Sequence, residues 1–146
     1  MSDEKAGGHG ERCVAVGALD MAIWDAAAKI EDVPLFSFLA QSLGGNSEPR
    51  SQINCYAAGG YPYPIDDLSA LRAEIRLIVD RGFTHAKIKI GKGEISEDLR
   101  RIDIAAKELP YGYSCLAADA MNAYSHESAI QAATALSAKE LWWFED

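Results

Sequence analysis

From residue 51 onward, short β-type runs alternate with amphipathic helical patterns. Each strand–helix unit takes about 30 residues, the length of a parallel crossover. This alternation restricts the fold more than any other feature. It predicts strands over 53–58, 84–90, 114–120 and 141–145. Helices are expected between them, over 66–81, 96–109 and 125–139. Asp66 or Asp67 would cap the first of these helices, and Gly82 would stop it. Strands joined in this way run parallel, with right-handed crossovers. Two closures are available: an open doubly wound sheet, or part of a (β/α) barrel of the TIM type. Four strands make about half of an eight-stranded barrel. The last strand has no helix after it, so the final unit reads as cut short.

Ahead of this region the chain has a different rhythm. Residues 1–12 read as a polar, glycine-rich tail. Val16, Leu19, Ile23 and Ile30 recur at helical spacing over 13–31, with alanines between them. Asp32-Val33-Pro34 breaks that helix. Pro34 suits the first turn of a second helix, 35–43, which Gly44-Gly45 would end. The expected division is therefore a helical segment with its linker, residues 1–50, and a half-barrel, residues 51–146.

Bulk properties exclude several classes. The formal charge is −8, which disfavours nucleic acid and anionic membranes as partners. No apolar run approaches the ~20 residues of a membrane span, and the N-terminus has no signal-peptide apolar region. The three cysteines, Cys13, Cys55 and Cys115, form no CxxC or Cys/His cluster. They fit reduced thiols in a cytoplasmic protein.

Four ionisable residues fall where barrel enzymes keep their active sites, at the C-terminal ends of strands. They are Lys87 and Lys89 on the second strand, Asp119 on the third and Glu145 on the fourth. Side chains alternate along a strand, so both lysines share one face, and Ile88 and Ile90 face the helices. Neighbouring ammonium groups disfavour each other's charge, which predicts a lowered pKa for at least one. A lysine so tuned can remove a proton from carbon beside a carboxylate. The resulting enediolate needs a divalent cation. Magnesium prefers oxygen ligands, and Asp119 and Glu145 are of that type.

Each feature has a plainer explanation. A Lys-x-Lys pair by itself is ordinarily a solvated surface. An aspartate at a strand end often only caps the next helix, and Trp142-Trp143-Phe144 suits core packing. Co-occurrence on three successive strand ends shifts the balance. Gly91-Lys92-Gly93 lacks the rest of a phosphate-binding loop.

The sequences Lys87-Ile88-Lys89, Leu116-Ala117-Ala118-Asp119-Ala120 and Trp143-Phe144-Glu145-Asp146 resemble consecutive active-site strands of the enolase superfamily, in its mandelate racemase branch. The helix around Ala18-Leu19-Asp20-Met21-Ala22-Ile23-Trp24-Asp25, followed by Pro34-Leu35, resembles the helix that precedes the barrel there. Within the branch, Gly7-Gly8-His9-Gly10-Glu11-Arg12 and Tyr56-Ala57-Ala58-Gly59-Gly60-Tyr61 are most similar to the D-tartrate dehydratases. The resemblance implies Lys89 as the base at the α-carbon and Lys87 as its modulator and a carboxylate contact. It also implies Asp119 and Glu145 as two Mg2+ ligands, and a small hydroxy acid as substrate. Expulsion of a β-hydroxide would then make the reaction a dehydration.

The family pattern is incomplete here. Its third carboxylate ligand, its general-acid histidine and most of its capping domain have no counterpart. Met121 stands where the family often has asparagine, and Asn122 follows one place later. His9 is expected in a solvated tail, His85 inside the barrel and His126 exposed at a helix start. Weak or absent activity of the isolated chain is expected, together with self-association or a complementing chain. A truncated reading frame fits the same pattern. Two other readings stay open: a non-catalytic α/β binding module with relic motifs, and a Schiff-base lyase using Lys87 or Lys89.

Overall fold

A computed structural model describes residues 10–43 and 50–145. The expectations for His9, Gly44-Gly45, most of the 46–51 linker and Asp146 lie outside the described residues. The chain divides into two compact units, Met1–Ile53 and Asn54–Asp146.

The first unit holds helices α1 (Gly10–Ile30) and α2 (Leu35–Leu43). Asp32, at φ 53°, turns the chain between them, and the Val33 amide donates to the Ala28 carbonyl at 3.1 Å. The Pro34 carbonyl accepts from the Phe38 amide at 3.0 Å in the first turn of α2. Trp24 packs edge-on against Phe38, with ring centroids 6.0 Å apart. The stripe of Val16, Leu19, Ile23 and Ile30 remains mostly exposed. Trp24 lies on a different flank of α1 from that stripe, so the helix pair forms without using it.

The second unit contains β1 (Ala57–Gly59), α3 (Asp67–Asp80), β2 (Ala86–Lys89), α4 (Ile95–Glu108), β3 (Leu116–Asp119), α5 (His126–Leu136) and β4 (Trp143–Glu145). Short 3-10 turns precede β3 and follow α5. The four strands form one parallel sheet in the order β1-β2-β3-β4. This is the expected α/β arrangement of consecutive strands.

Two local expectations change. Strand β1 begins at Ala57 rather than Ile53, whose side chain is exposed. Its ladder starts where Ala57 meets Ala86. Neither Asp66 nor Asp67 caps α3 through its side chain. Asp66 takes a left-handed conformation, and Asp67 instead accepts from the Tyr63 amide at 2.7 Å. Ser125 does cap α5, accepting from the Ser128 amide.

Strand parity sets the two faces of the sheet. Ala86, Ile88, Ile90, Leu116, Ala118 and Ala120 are almost fully buried on the helix side. They pack in one cluster with Leu71, Ile75 and Ile78 of α3 and Ile102, Ala105 and Ala106 of α4. Burial of each large aliphatic side chain contributes about 1.5–3 kcal/mol. The packing also leaves the alternate residues, Lys87, Lys89, Ala117 and Asp119, on the opposite face.

Candidate active site

Register brings the four ionisable residues together. One row across the sheet is Lys89, Asp119 and Glu145, each directly opposite the next. The row below is Lys87, Ala117 and Trp143. Ala117 is too small to obstruct Lys87, which reaches up to the carboxylates. Its Nζ lies 3.2 Å from Asp119 Oδ2 and 3.1 Å from Glu145 Oε2. Lys89 Nζ lies 2.5 Å from the same Asp119 Oδ2.

The cluster is mostly sheltered. The side chains of Lys87 and Lys89 are each 12% exposed and that of Asp119 is 5% exposed, against 42% for Glu145. Tyr56 and Tyr61 lean over the lysines, with ring centroids 5.9 Å and 5.7 Å from the respective ammonium nitrogens. Cation–π attraction of this kind adds about 0.5–1 kcal/mol at exposed rings.

Electrostatics follows from this packing. Burial acts to lower the Lys87 pKa, but its hydrogen bonds to Glu145 and Asp119 and their charges outweigh it, so the pKa is raised. Repulsion between the ammonium groups therefore does not govern Lys87, because the two acids lie closer to it than sequence spacing could reveal. Burial likewise acts to raise the Asp119 pKa. Bonds from Lys89, the Met121 amide and Lys87 prevail, and the pKa is lowered.

The loop after β3 fixes one oxygen of Asp119. Met121 and Asn122 are consecutive left-handed residues, at φ 54° and 60°. That turn points the Met121 amide at Asp119 Oδ1, 2.8 Å away. The backbone of residue 121 serves the site here, and Asn122 is exposed. Oδ2 is left for the cluster.

Several supporting residues were missed in the sequence. Arg101 of α4 is 5% exposed. It donates to the Gly60 carbonyl at 2.5 Å, to the Lys89 carbonyl at 3.4 Å and to the Asp67 carboxylate. It thereby braces the ends of β1 and β2. Glu74 accepts from the Gly60 amide at 2.7 Å and from the Tyr63 hydroxyl. Asp98, 4% exposed, accepts from the Gly91 amide at 3.0 Å and from the Tyr124 hydroxyl at 2.8 Å. A usable signal existed. Positions 98, 101, 102 and 105 share one face of α4, so Asp98 and Arg101 sit in the apolar register.

Gly60 is required by its surroundings. It has φ +63°, and a Cβ there would lie 2.7 Å from Ile88 Cγ2. Any side chain at this position would push β1 off β2 beside the site.

A separate cavity of about 360 Å3 lies on the helix side, lined by Pro62, Asp67, Ile90, Lys92, Glu97 and Arg101 among others. It does not include the four ionisable residues. His85 is hydrogen-bonded to Thr84 at 2.8 Å and its ring lies tilted against Trp142, with centroids 4.4 Å apart.

Asp119 and Glu145 fit a hard divalent cation by chemistry, since each offers carboxylate oxygen on adjacent strands. Their oxygens already converge on a positive group, the Lys87 ammonium. Among the described residues no cluster of three or more His, Cys, Asp or Glu side chains could hold a metal. Asp119 and Glu145 would supply two of such a cation's oxygen donors. Among the described residues no helix is long and apolar enough to cross a membrane.

Fold and site together define a parallel β/α protein with an ionisable cluster at its strand ends. Residues 70–146 match the Enolase C-terminal domain-like family. The chain belongs to this family, within the mandelate racemase and enolase superfamily. It is similar to arabinonate dehydratase of Saccharolobus solfataricus, with 31% identity over 140 residues, 96% of this chain and 35% of that protein. Its structure is similar to the 3,6-anhydro-D-galactonate cycloisomerase of Zobellia galactanivorans. That match has a TM-score of 0.69 and 30% identity, covering 89% of this chain and 33% of the other. A racemase from Streptomyces coelicolor, solved with bound magnesium, matches with a TM-score of 0.55 and 28% identity, over 63% of this chain and 25% of the other. The chain spans about a third of the length of the curated relatives it matches.

Proposed function

We propose that this chain carries the base and two metal ligands of a Mg2+-dependent acid-sugar dehydratase. The observation that carries this reading is the convergence of Lys89, Lys87, Asp119 and Glu145 at the ends of β2, β3 and β4. The dehydratase and cycloisomerase among its relatives support the reaction class.

Lys89 acts as the base. Once it has given up its own proton, its Nζ accepts the proton alpha to the substrate carboxylate. The electron pair of the broken C–H bond moves into the carboxylate. Magnesium held by Asp119 and Glu145 would supply the positive charge that this dianion needs. Lys87, on the same face as Lys89, adds a second positive group for the substrate carboxylate. The electron pair then forms the Cα–Cβ double bond as the β C–O bond breaks, the departing hydroxide takes a proton from solvent to become water, and the enol left behind becomes a keto acid. The substrate is a small hydroxy acid of the tartrate type, on the likeness of the segment Tyr56–Tyr61.

Donors beyond Asp119 and Glu145 would complete the cation's shell, and a second copy of this chain or a complementing chain is one source of them. The test is α-proton exchange of tartrate and related acid sugars in D2O, with and without magnesium, against Lys89→Ala. Exchange that requires both magnesium and Lys89 is the expected result. A folded chain showing no exchange would instead favour the non-catalytic binding module.

A further inference from the structure

Asp119 Oδ1 is committed to the Met121 amide at 2.8 Å. Oδ2 is therefore the oxygen free to serve a cation, and it carries both ammonium groups, Lys89 at 2.5 Å and Lys87 at 3.2 Å. Lys87 alone also reaches Glu145, at 3.1 Å. One positive nitrogen thus occupies the point where the two carboxylates converge. A divalent ion bound to the same two oxygens needs that point.

We propose that Lys87 is the built-in counter-cation of this site, keeping Asp119 and Glu145 together until a divalent ion displaces it. The inference rests on the metal role proposed above for the two acids. The physical case has two parts. Two carboxylates this close repel each other unless a cation lies between them, and Lys87 supplies one from the chain itself. An ammonium and a divalent ion at one point also repel strongly in a sheltered setting. Binding of the ion and release of Lys87 from Glu145 are therefore one event. Ala117, opposite Lys87 in register, leaves room for the side chain to withdraw. Lys89 shares Oδ2 but pairs with Asp119 and not with Glu145, so it can stay beside Asp119 as the ion enters.

The test is Mn2+ binding to the full chain, followed by calorimetry and by the electron paramagnetic resonance of free Mn2+. The chains compared are unsubstituted, Lys87→Met, Lys87→Gln and Lys92→Met. Lys87→Met and Lys87→Gln keep a similar stem and remove the charge. Lys92→Met removes a unit charge from the loop after β2, on the wall of the separate helix-side cavity. Far-ultraviolet dichroism identifies folded variants. The expected result is tenfold or greater tightening of Mn2+ binding in whichever Lys87 variant folds, with less than threefold change in Lys92→Met. Equal effects at the two positions, or weaker binding without Lys87, would overturn the displacement and leave the metal site standing. Absence of binding in every folded chain would remove the metal site and this inference with it.

Discussion

Lys89 stands directly opposite Asp119 in the β2–β3 register, and its ammonium nitrogen lies 2.5 Å from Asp119 Oδ2. Register alone would only make these residues neighbours. Shelter from water makes the pair consequential, because charges at low effective dielectric interact far more strongly than at a surface. Asp119 serves two ammonium groups, so Asp119→Asn leaves two largely sheltered cations short of their shared acceptor. The expected cost is about 3 kcal/mol of stability. Urea denaturation would register it as a lower midpoint at unchanged slope.

Arg101 ties three acceptors from three elements with one guanidinium. Arg101→Met should cost about 2–4 kcal/mol, as the half-buried Asp67 carboxylate and two strand-end carbonyls lose their donor. Arg101→Lys should recover little, since an ammonium cannot reproduce the planar fork. Faster hydrogen exchange at the Gly60 and Lys89 amides would locate the damage. Unchanged exchange there would count against the brace.

Ile88 is fully buried between the sheet and helices, whereas Val16 on α1 is 66% exposed. Ile88→Ala should therefore destabilise by about 2–5 kcal/mol. Val16→Ala should lie within about 0.5 kcal/mol of the unsubstituted chain. Paired thermal melts would check the contrast, and similar losses at both sites would contradict this assignment of the core.

Tyr63 gives a pH dependence on the alkaline side. Burial, then its hydrogen bond to Glu74, pushes the phenol up to about 12 from an ordinary value of 10.0. The folded state thus holds a proton that the unfolded chain has released between those values. Stability from this group is complete below pH 10 and declines as pH rises toward about 12. Tyr63→Phe should flatten that part of the stability curve, and phenolate absorbance should locate the titration. A Tyr63 that ionises near pH 10 in the folded chain would refute the contact with Glu74.

Much of this architecture was legible in the residues. The strand–helix alternation places all four strands, and Ile88 and Ile90 signal which face of β2 meets the helices. Where the reading slipped, a local pattern had competition. Ile53 to Tyr56 look like strand, but the ladder begins only where Ala57 meets Ala86. Asp67 looks like a cap, but Tyr63 and Arg101 claim its oxygens. Asp98 and Arg101 passed unnoticed because a polar residue in an apolar register is explained only by its distant partners.

The sequence by itself determined the order of elements, the parity of the two lysines and the position of each acid at a strand end. These follow from periods of 2 and 3.6 residues and from turn chemistry, all of them local. Tertiary structure alone decided that Lys87 bridges Asp119 and Glu145, that Tyr56 and Tyr61 shelter the lysines, and that the Lys87 proton is held more tightly than expected. Those outcomes depend on bringing together strand residues 26 to 58 positions apart in the chain, and on how far an ammonium can reach across a small alanine. No local pattern encodes such distances, and electrostatics at 3 Å is governed by them.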